Sequence, residues 1–361
     1  MSAALAPWIA RQLQALLAQR GHAWLLQGPS GLGQFDLALS LVRTWLCDAP
    51  TLPAARGSLP PEGALAALGR PGGGSDAPTP LGACGACPSC HGIDVHTHPD
   101  LVVLMPETEM LARGWPLPEK AQAEIDDKKR KPSKDIRVDA MREAIDFAQR
   151  TSGRGRGKAL LVYPAERMNA ITANALLKTL EEPPGDARFV LASDAAHLLL
   201  PTIRSRCQAH TLAWPTEPEA LAWLAGQGVA AALAPGLLRA AGGRPAAALA
   251  LAGEADGARA WAELPRALGR GDVAALARVP VPEAVARLQK LCHDLLARQV
   301  GAPPRFFDAA DLPARALSQA ALTRWWKQLA ESARSAEHPL NPGLVTEFLV
   351  NAARQALNSK L

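Results

Sequence analysis

Residues 84 to 90, "CGACPSC", place Cys84, Cys87 and Cys90 at C-x-x-C-x-x-C spacing. Two tight turns suffice to bring three such thiolates onto one ion, and zinc wants a fourth ligand. Cys47, at the end of a helical pattern, is the best fourth candidate, because the segment between it and Cys84 can loop out without pulling the ligands apart. His91, His96 and His98 are rivals for that place, and small buried thiols are the bland reading of the cluster. The chain has six cysteines, and three within seven residues of a chain that reads as cytosolic favour metal over disulfide.

A second stretch, "LLQGPSGLGQF" over residues 25 to 35, keeps the glycine spacing of a phosphate-binding loop at Gly28 and Gly33. A working loop follows its last glycine with a lysine for the terminal phosphates and a hydroxyl for Mg²⁺. Here Gln34 and Phe35 stand in those places. Nucleotide-hydrolysing enzymes of this architecture also end a neighbouring strand in acids that hold Mg²⁺. "KALLVYPAERMN" ends instead in Tyr163 and Pro164, and the nearest acids, Glu166 and Asp194, read as solvated loop residues. The loop is therefore expected to bind no ATP.

The third candidate is "LLPTIRSRCQ", which sets Arg204 and Arg206 just after the apolar run "RFVLAS". An arginine there is either a salt-bridged surface residue or one offered to a neighbouring subunit's triphosphate, where its planar, permanent charge can stabilise transferring phosphoryl oxygens.

These residues need elements to hold them. "AWLLQ", "DLVVLM", "KALLVY" and "RFVLAS" are short apolar runs separated by longer amphipathic stretches, the alternation of a parallel sheet flanked by helices. In "ANALLKTLEEPP", Ala173, Leu176, Leu177 and Leu180 form one stripe that Pro183 ends. The glycine loop lies between "AWLLQ" and the helical "FDLALSLVRTWL". Residues 48 to 83, rich in Pro and Gly, read as a surface insertion, and the charge run 126 to 135 as a solvated loop. After residue 212 strand signals fade into helical patterns, and Trp325 and Trp326, adjacent on one helix, cannot both face one core.

At 361 residues the chain should form two or three domains. A net charge of +5 permits contact with nucleic acid without demanding it. No run of 18 apolar residues occurs, and the amphipathic N-terminal pattern carries arginines, so a soluble cytoplasmic protein without membrane contact is expected.

Taken in order behind the glycine loop, "CGACPSCHGIDVHTHPDL", "NALLKTLEEPP" and "TIRSRC" resemble the clamp-loader subunits of bacterial DNA polymerase III. Those are AAA+ proteins with a zinc module inserted in the first domain. The resemblance implies an α/β parallel-sheet AAA+ core with zinc module over residues 1–212, a small helical lid over 213–264, and an all-helical collar domain over 265–361. It maps the family's zinc ligands onto Cys47, Cys84, Cys87 and Cys90, for a structural Zn²⁺, and the family's acidic pair onto Tyr163 and Pro164. The pattern is that of a member whose nucleotide site has decayed, not that of the motor subunits gamma and tau. The family's Ser-Arg-Cys motif falls on Ser205, Arg206 and Cys207, which implies that Arg206 is an arginine finger acting in trans; Arg204 precedes the motif and inherits no role. The implied protein is a non-ATPase part of the DNA polymerase III holoenzyme. It assembles with gamma/tau and delta subunits in a hetero-pentamer and supports loading of the sliding clamp onto primed DNA. The rival readings are a motor ATPase with an unorthodox loop and a zinc-dependent nucleic-acid-binding protein of AAA+ descent.

Overall fold

Five short strands build one sheet: β1 (Ala23–Gln27), β2 (Leu101–Leu104), β3 (Lys158–Val162), β4 (Ala187–Ser193) and β5 (Gln208–Thr211). The computed structural model describes residues 5–51, 82–254, 256–338 and 340–359; apart from its ends, the insertion expected over 48–83 lies outside them. The strands run in the order β2-β3-β4-β1-β5, and every pairing is parallel. Leu25, Leu26, Leu160, Leu161, Phe189 and Val190 are all essentially inaccessible to solvent. Burial of both sheet faces is why these strands read as unbroken apolar runs rather than as alternation. β5 was not legible as a strand, because "QAHT" pairs only with β1 at the sheet edge and is mostly exposed.

Helices cover the sheet. α1 (Pro7–Leu17) packs on α2 (Gln34–Leu46), which in turn lies against β1, β3 and β4, and α3 (Pro88–Asp94) docks on α2. Two short helices, α4 (Glu107–Ala112) and α5 (Glu119–Asp126), precede α6 (Val138–Gln149) and α7 (Ala170–Glu181). α6 and α7 pack together, and their Met141, Ala144, Ala173, Leu176 and Leu180 join Leu25, Leu160 and Phe189 in one core. Asn169 starts α7 by accepting the Thr172 N–H at 2.9 Å. The single turn α8 (Pro201–Arg204) leads into β5.

The charge run 126 to 135 is less free than expected. Arg130 donates to both oxygens of the buried Glu107 carboxylate and, at 2.7 Å, to Glu124, while the Ser133 N–H also bonds Glu107. One arginine thus pins the loop, leaving its lysines exposed.

The chain divides into two units, Met1–Trp214 and Pro215–Leu361. The second is helical: α9 (Glu217–Gly226), α10 (Ala234–Ala240), α11 (Pro245–Gly253), α12 (Gly257–Arg270), α13 (Val281–Gln299), α14 (Gln319–Ser335) and α15 (Pro342–Leu357). One apolar cluster runs through them, from Leu224 on α9 to Leu357 on α15. Within it Asp294 of α13, fully buried, accepts the backbone N–H groups of Arg305, Phe306 and Phe307, which seats Phe307 in a stack on Trp261 at 4.5 Å. Of the adjacent tryptophans, Trp325 is buried in this core and Trp326 is exposed.

Candidate functional site

The glycine loop joins the end of β1 to the start of α2, and its own side chains close it. Gly33 has φ +98°, and a Cβ there would lie 2.8 Å from Ile9 Cδ1 on α1, so only glycine fits. The Trp8 indole, also on α1, donates to the Leu32 carbonyl at 3.0 Å. Gln34, which is 2% exposed, turns its amide back into the loop and donates to the carbonyls of Gly28 at 2.6 Å and Pro29 at 2.8 Å. Where a lysine would reach outward to phosphate, a neutral amide ties the loop to itself.

Phe35 and Tyr163, at the two positions where a working site holds its hydroxyl and its acid, are both buried and in contact, with ring centroids 5.3 Å apart. Arg113, between α4 and α5, lays its guanidinium over both rings at 4.5 and 4.8 Å and donates to the Tyr163 hydroxyl at 3.3 Å. Trp115 meets Phe35 edge-on at 6.3 Å, and His96 stacks on Trp115 at 3.8 Å. Sequence reasoning missed Arg113 and Trp115. They lie in a Gly- and Pro-flanked stretch, and only their contacts mark them.

Glu166 and Asp194 are not the solvated loop residues expected. Glu166 accepts from the Ser193 hydroxyl at 2.7 Å and from the Asp194 N–H at 3.1 Å. Asp194 accepts from the Tyr163 hydroxyl at 3.2 Å, while its other oxygen is buried without a partner. Burial, with Glu166 beside it, pushes the Asp194 carboxyl up to about 6, and burial likewise raises the Tyr163 phenol. Aromatic faces and the Arg113 guanidinium thus stand at the positions of the missing hydroxyl and acid, and the neighbouring Glu166 and Asp194 carboxylates are engaged by Ser193, the Asp194 N–H and Tyr163.

Ser205, Arg206 and Cys207 follow α8 at the edge of the first unit, next to the end of α7. Arg206 donates from Nε to Glu181 Oε1 at 2.6 Å and from Nη2 to the same oxygen, and from Nη1 to the Thr202 carbonyl at 2.9 Å. Ser205 Oγ donates to that same carbonyl at 3.1 Å. Burial pushes the Cys207 thiol up to about 12, and Arg204 is exposed.

The sulfurs of Cys47, Cys84, Cys87 and Cys90 all lie within 4.8 Å of one another, a group that can hold a metal ion. Metal–sulfur bonds of about 2.3 Å at a tetrahedral centre set sulfur–sulfur edges of about 3.8 Å, and Cys47 and Cys87 are 3.8 Å apart. Local folding explains the convergence. Thr51 and Gly82 exchange backbone hydrogen bonds of 2.9 and 2.8 Å, so Cys47, which caps the end of α2, meets Cys84 despite the long intervening segment. Cys87 caps the start of α3, accepting the Cys90 N–H at 3.4 Å, and the Cys84 N–H points at Cys47 Sγ at 3.3 Å. Burial pushes the Cys47 thiol up to about 12, whereas the backbone N–H of Ala86 helps bring exposed Cys84 down to about 6. The Arg43–Asp94 pair and the Asp48–Ser89 hydrogen bond fasten this module to α2. The rival histidines are engaged or placed elsewhere: His91 is exposed, His96 stacks on Trp115, and His98 accepts the Asp100 N–H at 3.1 Å.

Comparison with known proteins follows the same lines. The family described as DNA polymerase III, delta subunit, matches residues 75–215. DNA polymerase III subunit delta' of Escherichia coli K12 is 32% identical over 312 residues, covering 82% of this chain and 77% of that protein. The delta' subunit of Pseudomonas aeruginosa is 36% identical over 208 residues, 58% of this chain and 48% of its own, so the match spans about half of that relative's length. DNA polymerase III subunit tau of Salmonella typhimurium is 29% identical over 197 residues, 54% of this chain and 22% of that protein.

Proposed function

The chain belongs to the delta' family of DNA polymerase III subunits, and from that premise we propose that it is a non-ATPase member of the replicative clamp loader, acting on a neighbour's nucleotide rather than on one of its own. The observation that carries this reading is the self-closed glycine loop. Gln34 occupies the lysine's place and bonds the loop's carbonyls, while Phe35 packs on Tyr163 under the Arg113 guanidinium. At the lysine's place Gln34 brings no charge and spends its amide on the loop's own carbonyls, and at the hydroxyl's place Phe35 brings no oxygen for Mg²⁺.

The loop persists because it connects a central strand to a packed helix. The chemistry open to the chain is then exercised in trans. Arg206, on the surface of the first unit, is the arginine finger for an adjacent motor subunit, within Ser205-Arg206-Cys207. The partners are gamma/tau and delta subunits in a hetero-pentamer, and the task is support for loading the sliding clamp onto primed DNA in the cytoplasm. No helix of the described residues is long and apolar enough to cross a membrane. The expected lid (213–264) and collar (265–361) fall almost wholly within the second unit, Pro215–Leu361, but their boundary cuts through α12 (Gly257–Arg270), whose Leu264 and Leu268 share one core; the collar's role is to hold the assembly together.

The four cysteines are the ligands of one structural zinc ion. The ion supplies a rigid crosslink between α2 and α3, and four thiolates leave no open position for a substrate. The chain's own contribution is to hold the sulfurs in place through the Thr51–Gly82 bridge and the Cys87 cap.

Titration of the isolated protein with a fluorescent ATP analogue and Mg²⁺ tests the carrying observation. No saturable binding at micromolar concentrations is expected. Micromolar affinity with Mg²⁺-dependent turnover would overturn the reading in favour of a motor subunit.

A further inference from the structure

Arg206 does not hang free in solvent. Its side edge, Nε and Nη2, grips one oxygen of Glu181 at the end of α7, and Nη1 is tied back to the Thr202 carbonyl. The remaining contact, Nη1 to Ser205 Oγ, is 3.5 Å and at the limit of a hydrogen bond. A guanidinium has five N–H donors in a rigid plane. With the Nε/Nη2 side and the backward-pointing Nη1 hydrogen engaged, the outer Nη1/Nη2 edge is the part left to meet an oxyanion, and that edge has the two-pronged geometry of phosphate recognition.

We propose that Glu181 is the positioning residue of Arg206: its carboxylate clamps the side edge so that the outer edge is presented ready-made to a neighbour's phosphate. This rests on Arg206 acting in trans. The physical effect is pre-organisation. An unclamped arginine samples many rotamers, and immobilising such a side chain costs free energy; Glu181 meets that cost before the neighbour's ATP arrives. The carboxylate also balances the arginine's charge while no phosphate is present.

The test is a double-mutant cycle in the clamp-loader complex reconstituted with the delta and tau subunits of the same genome. Glu181→Ala and Arg206→Ala chains, and the double variant, are compared for clamp- and DNA-stimulated ATPase, with assembly checked by gel filtration. Glu181→Ala should slow the one site that Arg206 completes about three- to tenfold, read in the complex as a fall in kcat no larger than that of Arg206→Ala with KM for ATP little changed, and the double variant should be no slower than Arg206→Ala alone. Glu181→Gln, which keeps an oxygen acceptor, should recover part of the loss. Arg206→Ala slow but both Glu181 variants at wild-type rate would overturn the role of Glu181 alone. A double variant slower than Arg206→Ala by the full Glu181→Ala factor would show that Glu181 acts independently, and would overturn it too. If Arg206→Ala itself changes nothing, the arginine reading falls, and the positioning role with it.

Discussion

At Gln34 the exchange of one side chain changes what the loop can bind. A lysine ammonium is a strongly hydrated point charge that must sit in water or on phosphate, whereas the Gln34 amide is buried on two carbonyls of its own loop. Phe35 adds a ring that Tyr163, Trp115 and Arg113 enclose. The same enclosure strains Asp194, whose carboxyl faces Glu166, Tyr163, Arg113 and Glu109 and has one oxygen without a partner. Its folded value of about 6 lies above the usual carboxylate value of about 3.9. Between those two values the folded chain holds the proton more tightly than the unfolded chain. Stability from this group is therefore full below about pH 4 and is lost as pH rises through about 6. Asp194→Asn should remove that dependence. It should raise stability at pH 7.5 by on the order of 1–2 kcal/mol, a figure kept low because part of the carboxyl still meets water. Thermal melts of the isolated protein at pH 5 and pH 7.5 measure it, and a variant less stable than wild type at pH 7.5 would contradict the account.

Among the elements, the four-cysteine module shows how a short segment is held by few contacts. α3 is seven residues long, too short to be stable alone, and depends on the Cys87 cap, the Arg43–Asp94 pair and the four-sulfur cluster. One zinc per chain is expected by elemental analysis of protein purified without added metal. Cys87→Ser should lose the ion and unfold the module, while far-UV circular dichroism of the sheet and helices stays near wild type. Retention of a full equivalent of zinc by that variant would refute the ligand set.

The elements also mark how far the sequence could be read. β1, β3 and β4 were legible because burial on both faces made them mostly apolar, β2 because its short run "LVVL" is apolar even though half-buried at the edge, and α7 because its stripe and Pro183 gave it a face and an end. β5 was not, being a polar edge strand. α4 and α5 are short and lack a sustained apolar stripe, so nothing announced them. The cysteine cluster was readable because spacing alone brings three ligands together, and the loop's missing lysine and hydroxyl were readable as absences. What fills those absences was not. Phe35, Arg113 and Tyr163 lie far apart in the chain and meet only through the sheet order, as do Glu181 and Arg206.

For the whole molecule, the central claim is a division of labour: a chain that has closed its own nucleotide site and offers Arg206 to another. If, as proposed, the chain serves one of several ATP sites in a loader, removal of Arg206 should not abolish bulk hydrolysis. Trans-acting fingers contribute on the order of 10³-fold or more at the site they complete, yet the remaining sites continue to turn over unless they fire in a coupled order. Clamp loading, which needs the sites to act together, should suffer more. Lysine should substitute poorly, since a point charge lacks the guanidinium's fork. The most direct measurement is steady-state ATPase and clamp loading of the reconstituted complex carrying wild-type, Arg206→Ala or Arg206→Lys chain. Assembly should be intact in all three, with ATPase lowered and clamp loading lowered further in both variants. Unchanged rates in both assays, with the complex fully assembled, would contradict the account and leave Arg206 as an ordinary surface ion pair with Glu181.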